Sequence, residues 1–185
     1  GKPGDAIEEF LPIVRTQNVD PKAHYLLGQL YEAVGDTRQA EAVYRGAIRD
    51  LRADAEIPTA LGILLMKEGR VQQAQHFLQQ ALREDPKAWE ARQALVRYYL
   101  SENQNADAER LLRQAVKDEP YNSEWLAGLA RLLEVVGKHT EAVATYQQLL
   151  TLDPFRVEAH QALADHYVAT EAWQAAANEL EWLQQ

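Results

Sequence analysis

Residues 27–47 read LGQLYEAVGDTRQAEAVYRGA, and this stretch decides the fold. Within it, apolar residues follow one another at intervals of three or four, as Ala40, Tyr44 and Ala47 do. Such intervals place the side chains on one face of an α helix. Gly35 lies between two such apolar faces, where a residue in the left-handed conformation ends one helix and allows the next to begin. The stretch therefore predicts a pair of helices joined by a glycine turn.

The same pattern recurs with a stride of 34 residues along the chain, and three series of positions carry it. Alanine recurs at Ala6, Ala40, Ala74, Ala108, Ala142 and Ala176. The second series, which we call the leucine column, is Leu27, Leu61, Leu95, Leu129 and Leu163. Large apolar residues recur at Phe10, Tyr44, Leu78, Leu112, Tyr146 and Leu180. Several columns that share one stride indicate an internal repeat.

Each 34-residue segment also carries a turn signal between its two helices. Gly35, Gly69 and Gly137 stand at this position, and Asn103 takes it in another segment, where asparagine tolerates a left-handed backbone. Glu171 stands at the fifth such position. Because a glutamate adopts that conformation only at a cost, we expect the last turn to differ from the others. Prolines stop the second helix of three segments, at Pro86, Pro120 and Pro154.

These signals define two sets of helices. The first helices are predicted near residues 22–34, 57–68, 88–101, 123–136 and 157–169. The second helices are predicted near residues 37–51, 71–84, 105–118, 139–152 and 173–184. A half segment precedes them, and Pro12 lies where its helix should continue, so a kink or break is expected near residues 9–12.

One such helix pair cannot bury its own apolar stripe, so neighbouring pairs must stack into a solenoid. The run Leu27-Gly28-Gln29-Leu30-Tyr31, followed by Gly35-Asp36 and the alanine series, resembles the tetratricopeptide repeat. The resemblance covers nearly the whole chain, as about five and a half repeats, and implies an all-α superhelix with a concave groove. It divides a single solenoid domain, residues 1–185, into a half repeat and five repeats: 1–20, 21–54, 55–88, 89–122, 123–156 and 157–185.

Composition excludes several other classes of protein. With 19 Lys and Arg against 28 Asp and Glu, the net charge is −9, which argues against a nucleic-acid partner and against a related RNA-binding repeat of 35 residues. The chain has no cysteine and therefore no disulfide, no thiolate metal site and no cysteine nucleophile. No apolar run is long enough to insert in a membrane. We expect a soluble protein of the cytoplasm or a bacterial periplasm, between which the sequence does not decide.

Motifs for catalysis, metal ions or cofactors are also missing from the sequence. The five histidines include no pair at i, i+4, and the glycines form no phosphate-binding loop. Neither serine stands in a nucleophile elbow. We therefore expect a protein without enzymatic activity, metal or cofactor.

In the tetratricopeptide repeat family the first helices line the concave groove, so offsets from the leucine column identify candidate binding residues. These are Tyr25, Gln29, Ile63, Met66, Gln93, Arg97, Leu100 and Arg131. Arg97 and Arg131 share one offset in consecutive repeats and could flank an acidic segment of a partner protein or peptide. The alternative is a solvated face with Arg131 paired to Glu134. No repeat combines the Lys and Asn with which some family members bind acidic chaperone tails, so that interaction is not expected.

The two ends of the chain suggest further interpretations. We expect either that the chain is part of a longer protein or that its end meets another copy through Leu180, Trp182 and Leu183 in a homo-oligomer. The leading hypothesis is a scaffold for protein interactions. The alternatives are a self-associating assembly module and a recruiting arm of a larger multidomain protein, such as a bacterial envelope or polysaccharide secretion component.

Overall fold

The computed structural model describes residues 3–14, 20–50 and 54–184. Within them the chain forms eleven α helices and no β strand, which confirms the predicted all-α class. The helices are α1 Pro3–Val14, α2 Pro21–Ala33, α3 Thr37–Asp50, α4 Glu56–Lys67, α5 Val71–Glu84, α6 Trp89–Ser101, α7 Asn105–Asp118, α8 Ser123–Val135, α9 His139–Leu152, α10 Val157–Ala169 and α11 Trp173–Trp182. The bounds of α2 to α11 agree with the predicted ones to within two residues, and no bounds were predicted for α1. Residue 51, the predicted end of the second helix in the first repeat, lies outside the described residues.

Helix contacts divide the chain into two compact units, Gly1–Leu95 (unit 1) and Val96–Gln185 (unit 2). In unit 1, each helix from α1 to α4 packs against the next helix, and α2 also contacts α4. In unit 2, consecutive helices from α7 to α11 pack against one another in the same way. That all residues from 1 to 185 form one domain stays a prediction, and so does the half repeat 1–20, of which residues 1–2 and 15–19 lie outside the described part.

The repeated columns form the core of each unit. Five members of the alanine series are buried: Ala40, Ala74, Ala108, Ala142 and Ala176. The leucine column is buried throughout. Alanine suits its series because a small side chain lets two helix backbones approach closely, and a larger one would force the helices apart.

All five turns between paired helices have the same geometry, so the expectation for Glu171 was wrong. Glu171 has φ +59°, like Asn103 at +56° and close to the +81° of Gly35. In each turn the next amide closes the helix end: Asp36 N donates to the Tyr31 carbonyl at 2.9 Å, and Ala172 N repeats this bond. The glutamate accepts a strain of about 1–2 kcal/mol. The capping bond and the packing of α10 on α11 offset it.

Pro12 does not break α1, so the break that the sequence allowed is absent, whereas the alternative of a kink stays a prediction. The helix runs from Pro3 to Val14 with Pro12 inside it. Pro12 lies in the last turn, where it removes the amide that would bond to the carbonyl of Glu8, and both residues are exposed. Water can therefore hydrogen-bond to that carbonyl in place of the missing amide.

Ion pairs join neighbouring second helices at repeated positions. The Glu41 carboxylate accepts hydrogen bonds from Arg70 and Arg45, both at 2.6 Å. Two repeats further on, Glu109 pairs with Lys138 and Arg113. Hydrogen bonds from Arg70 hold the pKa of Glu41 below its ordinary value, and Lys138 lowers the pKa of Glu109. Among the helices described, none has the length and apolarity needed to cross a membrane.

Candidate binding surface

The candidate residues of unit 1 lie on the first helices α2, α4 and α6. Tyr25 is half-buried and packs against the core of the unit, and Gln29 Nε2 donates a hydrogen bond to its hydroxyl at 2.8 Å. Burial raises the pKa of Tyr25, and the carboxylates of Glu90 and Glu56 raise it further. The Tyr25 hydroxyl therefore lies near several carboxylates.

The neighbouring helix α4, which contacts α2, supplies the apolar candidates of unit 1. Ile63 and Met66 are half-buried, and Met66 packs against the same core cluster as Tyr25. Gln93, on the unit 1 part of α6, is also half-buried. Much of the surface of these residues therefore serves packing, and only the remainder is open to a partner.

The candidates of unit 2 are the more exposed ones. Arg97, Leu100 and Arg131 all face solvent. Within residues 96–184, the other three arginines, Arg110, Arg113 and Arg156, form ion pairs. Arg97 and Arg131 form none within the part of the chain that the structure describes. Neither guanidinium group is thus held in an ion pair, although the charge of Arg131, after that of Arg156, helps to lower the pKa of Glu124.

The described residues include no ion pair between Arg131 and Glu134, so that part of the alternative is absent, while the choice between a solvated face and a binding face stays a prediction. The Tyr146 hydroxyl donates to Glu134 Oε2 at 3.0 Å. Unit 1 repeats this bond between the Tyr44 hydroxyl and Glu32 Oε1 at 2.9 Å. Burial, followed by the carboxylate contact, raises the pKa of both tyrosines. Sequence reasoning missed both bonds, although their residues stand at corresponding positions, three strides apart.

The end surface proposed from the sequence is only partly exposed. Leu180 is 46% exposed, whereas Trp182 and Leu183 are half-buried. The Trp182 ring stacks on His160 with centroids 3.6 Å apart. His160 in turn lies with Nδ1 at 2.5 Å from Glu179 Oε2 and holds α11 against α10. Trp182 therefore serves packing within unit 2.

No group of three or more metal-ligating side chains is close enough to hold a metal ion anywhere in the described residues. The arrangement on the first helices offers guanidinium groups, amides and apolar side chains. These are groups that bind a polypeptide surface rather than groups that activate a substrate.

Three family models match the sequence and together span residues 21–184. Two are models of the tetratricopeptide repeat, at residues 65–133 and 128–184. The third describes YpiA-like C-terminal tetratricopeptide repeats, at residues 21–88. The chain belongs to the tetratricopeptide repeat family. Its eleven helices fit about five and a half repeats. No curated protein matches the sequence of this repeat protein.

Solved structures of tetratricopeptide repeat proteins share the fold. The C-terminal part of a repeat-containing protein from Cytophaga hutchinsonii matches with a TM-score of 0.80 at 16% identity, over 98% of this chain and 72% of that one. MamA from Desulfovibrio magneticus RS-1 matches at 0.68 and 20% identity, over 89% and 93%. YrrB, a repeat protein with an unusual peptide-binding site, matches at 0.68 and 19% identity, over 99% and 91%. At these identities the likeness concerns the fold alone.

Proposed function

We propose that this tetratricopeptide repeat protein is a non-catalytic scaffold that binds a partner protein or peptide through its first helices, with Arg97 and Arg131 contacting an acidic segment. The observation that carries the proposal is that these two arginines are exposed and without an ion pair among the described residues, while the other arginines of unit 2 are paired. In a chain of net charge −9, acidic side chains are abundant. The N–H groups of the Arg97 and Arg131 side chains nonetheless form no ion pair with a carboxylate of the described residues.

The placement of the two arginines supports a shared ligand. They hold the same offset from the leucine column in consecutive repeats, so their spacing follows the repeat. A guanidinium group binds a carboxylate with two parallel hydrogen bonds. Leu100 stands one turn beyond Arg97 on α6 and adds an exposed apolar contact. An extended segment with acidic residues and an apolar neighbour would match this row.

The comparison with YrrB supports the general proposal, since that protein of the same fold has a peptide-binding site. The identity of 19% carries no information on which residues of the present chain would bind. The assignment to Arg97 and Arg131 therefore rests on their exposure and free donors.

The test selects peptides from a random displayed library against the intact chain. We expect the recovered sequences to be enriched in Asp and Glu, and to bind the variant R97E/R131E at least about tenfold more weakly, because each lost contact contributes about 1 kcal/mol. The matched control is R110E/K117E, which makes the same charge change on the exposed surface of the second helix α7. Peptides without acidic enrichment, or equal binding to all three proteins, would refute the proposal.

A second candidate, self-association through α11, has its own supporting observation. Trp173 is 63% exposed and Leu180 is 46% exposed, and their interval of seven residues places them on one helix face. Sedimentation equilibrium over a concentration series should reveal a dimer that L180E weakens and V135E, at an exposed valine on α8, does not. A monomer at every concentration would exclude this candidate.

A further inference from the structure

Two glutamates at corresponding positions, Glu32 in unit 1 and Glu134 in unit 2, differ in their partners. Glu32, near the end of α2, accepts a hydrogen bond from the Tyr44 hydroxyl at 2.9 Å. Its second oxygen lies 3.4 Å from the ammonium group of Lys67, at the end of the neighbouring first helix α4. In unit 1 this glutamate therefore has both a hydroxyl donor and a cation.

In unit 2 the tyrosine hydroxyl that donates to the glutamate is present, but the lysine is replaced by an alanine. Glu134 and Tyr146 stand three strides after Glu32 and Tyr44 and form the same hydrogen bond, at 3.0 Å. The position three strides after Lys67 is Ala169, at the end of α10. Since alanine has no amine to offer, Glu134 is left without this partner.

A pocket of about 410 Å³ lies beside Ala169 and Glu134. It is enclosed by α8, α9 and α10, and Glu134, Tyr146 and Ala169 are among its lining residues. Ala142 and Val143 provide apolar surface. The volume lies in the lower part of the range for ligand pockets and has room for one long side chain of a partner.

A second carboxylate also lines the pocket. Asp165 replaces the apolar Ile63 found at the corresponding position of unit 1, and it makes no ion pair within the described residues. His139 and His166 are the other titratable groups of the lining besides Tyr146. The pocket thus combines apolar walls with two carboxylates, which complements an apolar stem that ends in a cation.

We propose that this pocket binds a lysine side chain of a partner polypeptide, whose ammonium group contacts Glu134 and Asp165 as Lys67 contacts Glu32 in unit 1. The proposal extends the proposed function, on which it rests, by adding a basic residue to the segment that meets the arginines. The side-chain charge at corresponding repeat positions is positive at Arg97 and Arg131 and negative at Asp165, which lines the pocket. The partner would therefore carry acidic residues and a lysine.

The probe is Nα-acetyl-lysine N-methylamide, with the uncharged Nα-acetyl-norleucine N-methylamide as its apolar counterpart. Both are titrated into the intact isotope-labelled chain at about pH 8, where an ordinary imidazole is neutral. The backbone amide of Thr170, which lines the pocket, reports binding by NMR. We expect a saturable shift with the lysine probe and none with norleucine. Absence of a saturable lysine shift, or an equal shift with norleucine, would overturn the proposal.

Variants identify the site. Ala169→Lys supplies the missing cation within the chain and should abolish the lysine-induced shift. The control, Ala33→Lys, makes the same change at the corresponding exposed position of α2 and should leave the shift intact. The double variant E134Q/D165N should also lose the shift, while its circular dichroism stays helical. Undiminished binding by A169K would refute the assignment.

The test separates this pocket from the arginine site. The variant R97E should bind the lysine probe as the unmodified chain does, because Arg97 does not line the pocket, whereas Arg131 is kept because its charge acts on the lining residue Tyr146. If displayed peptides lack acidic residues but the lysine shift follows the expected pattern, the arginine contact is wrong and the pocket stands. If acidic peptides bind but the lysine shift is absent, the pocket assignment fails alone.

Discussion

Replacing Gly28 by alanine should destabilise the protein, although alanine is the better helix former. Gly28 lies in α2 against α3, and a Cβ added there would stand 2.1 Å from Tyr44 Cε1 and 2.4 Å from Cζ. Ordinary contact between carbon atoms needs at least about 3.4 Å, so the ring would have to move by more than about 1 Å. Tyr44 is fully buried and its hydroxyl is held by Glu32, so the ring has little freedom to move.

The magnitude follows from two opposing terms. Overpacking of a rigid core costs about 1–3 kcal/mol, and the constraint on the Tyr44 ring favours the upper part of that range. Alanine recovers about 1 kcal/mol of helix propensity relative to glycine. We therefore expect G28A to lower the free energy of unfolding by about 2 kcal/mol.

Gly46 offers a matched control in the adjacent helix α3. A Cβ at Gly46 would meet no atom within 4 Å, so only the propensity term applies. G46A should raise the free energy of unfolding by up to about 1 kcal/mol. Urea unfolding followed by helical circular dichroism measures both changes against the unmodified chain. If G28A proved as stable as G46A, the packing of α2 on α3 described above would be wrong.

Two further predictions concern the last turn and the ion pairs of the second helices. E171G should raise the free energy of unfolding by about 0.5–1 kcal/mol, because glycine adopts a positive φ without strain. G137A should lower it, because Gly137 has φ +78°. Thermal melts that rank the two variants in the opposite order would contradict the strain argument. E41Q should be less stable than the unmodified chain at neutral pH, and the difference should shrink as the pH falls below about 4.5. The reason is that Arg70 depresses the pKa of folded Glu41 below its ordinary 4.5, so the stabilisation is present above that pH and is lost as the folded carboxylate protonates. A difference that does not change between about pH 6 and pH 3 would exclude this role.

The helices and their turns could be predicted from the sequence because their signals are local. The stride of 34 residues, the intervals within each helix and the glycines at the turns act over a few residues of chain. They are enough to place the described helices α2 to α11 to within two residues. The sequence rules for single residues failed where packing of neighbouring helices decides the backbone conformation. Glu171 adopts a conformation that its own side chain disfavours, because the shared turn geometry imposes it.

The candidate binding surface was predictable in part. Exposure of Arg97 and Arg131 follows from their offset to the leucine column, which fixes the face of the helix. Whether Arg131 would pair with Glu134 did not follow, because the contacts of that carboxylate include Tyr146 on another helix. Trp182 likewise stacks on His160 across two helices, which an inspection of α11 alone would not reveal.

The sequence by itself determined that the chain is a series of helix pairs and which face of each helix is buried, since periodicity and turn residues act along the backbone. The tertiary structure alone decided which charges are free and where a pocket opens. Those features depend on side chains that meet across helices. Lys67 pairs with Glu32 on a neighbouring helix, whereas Glu134 has Ala169 at the corresponding place and lines a pocket.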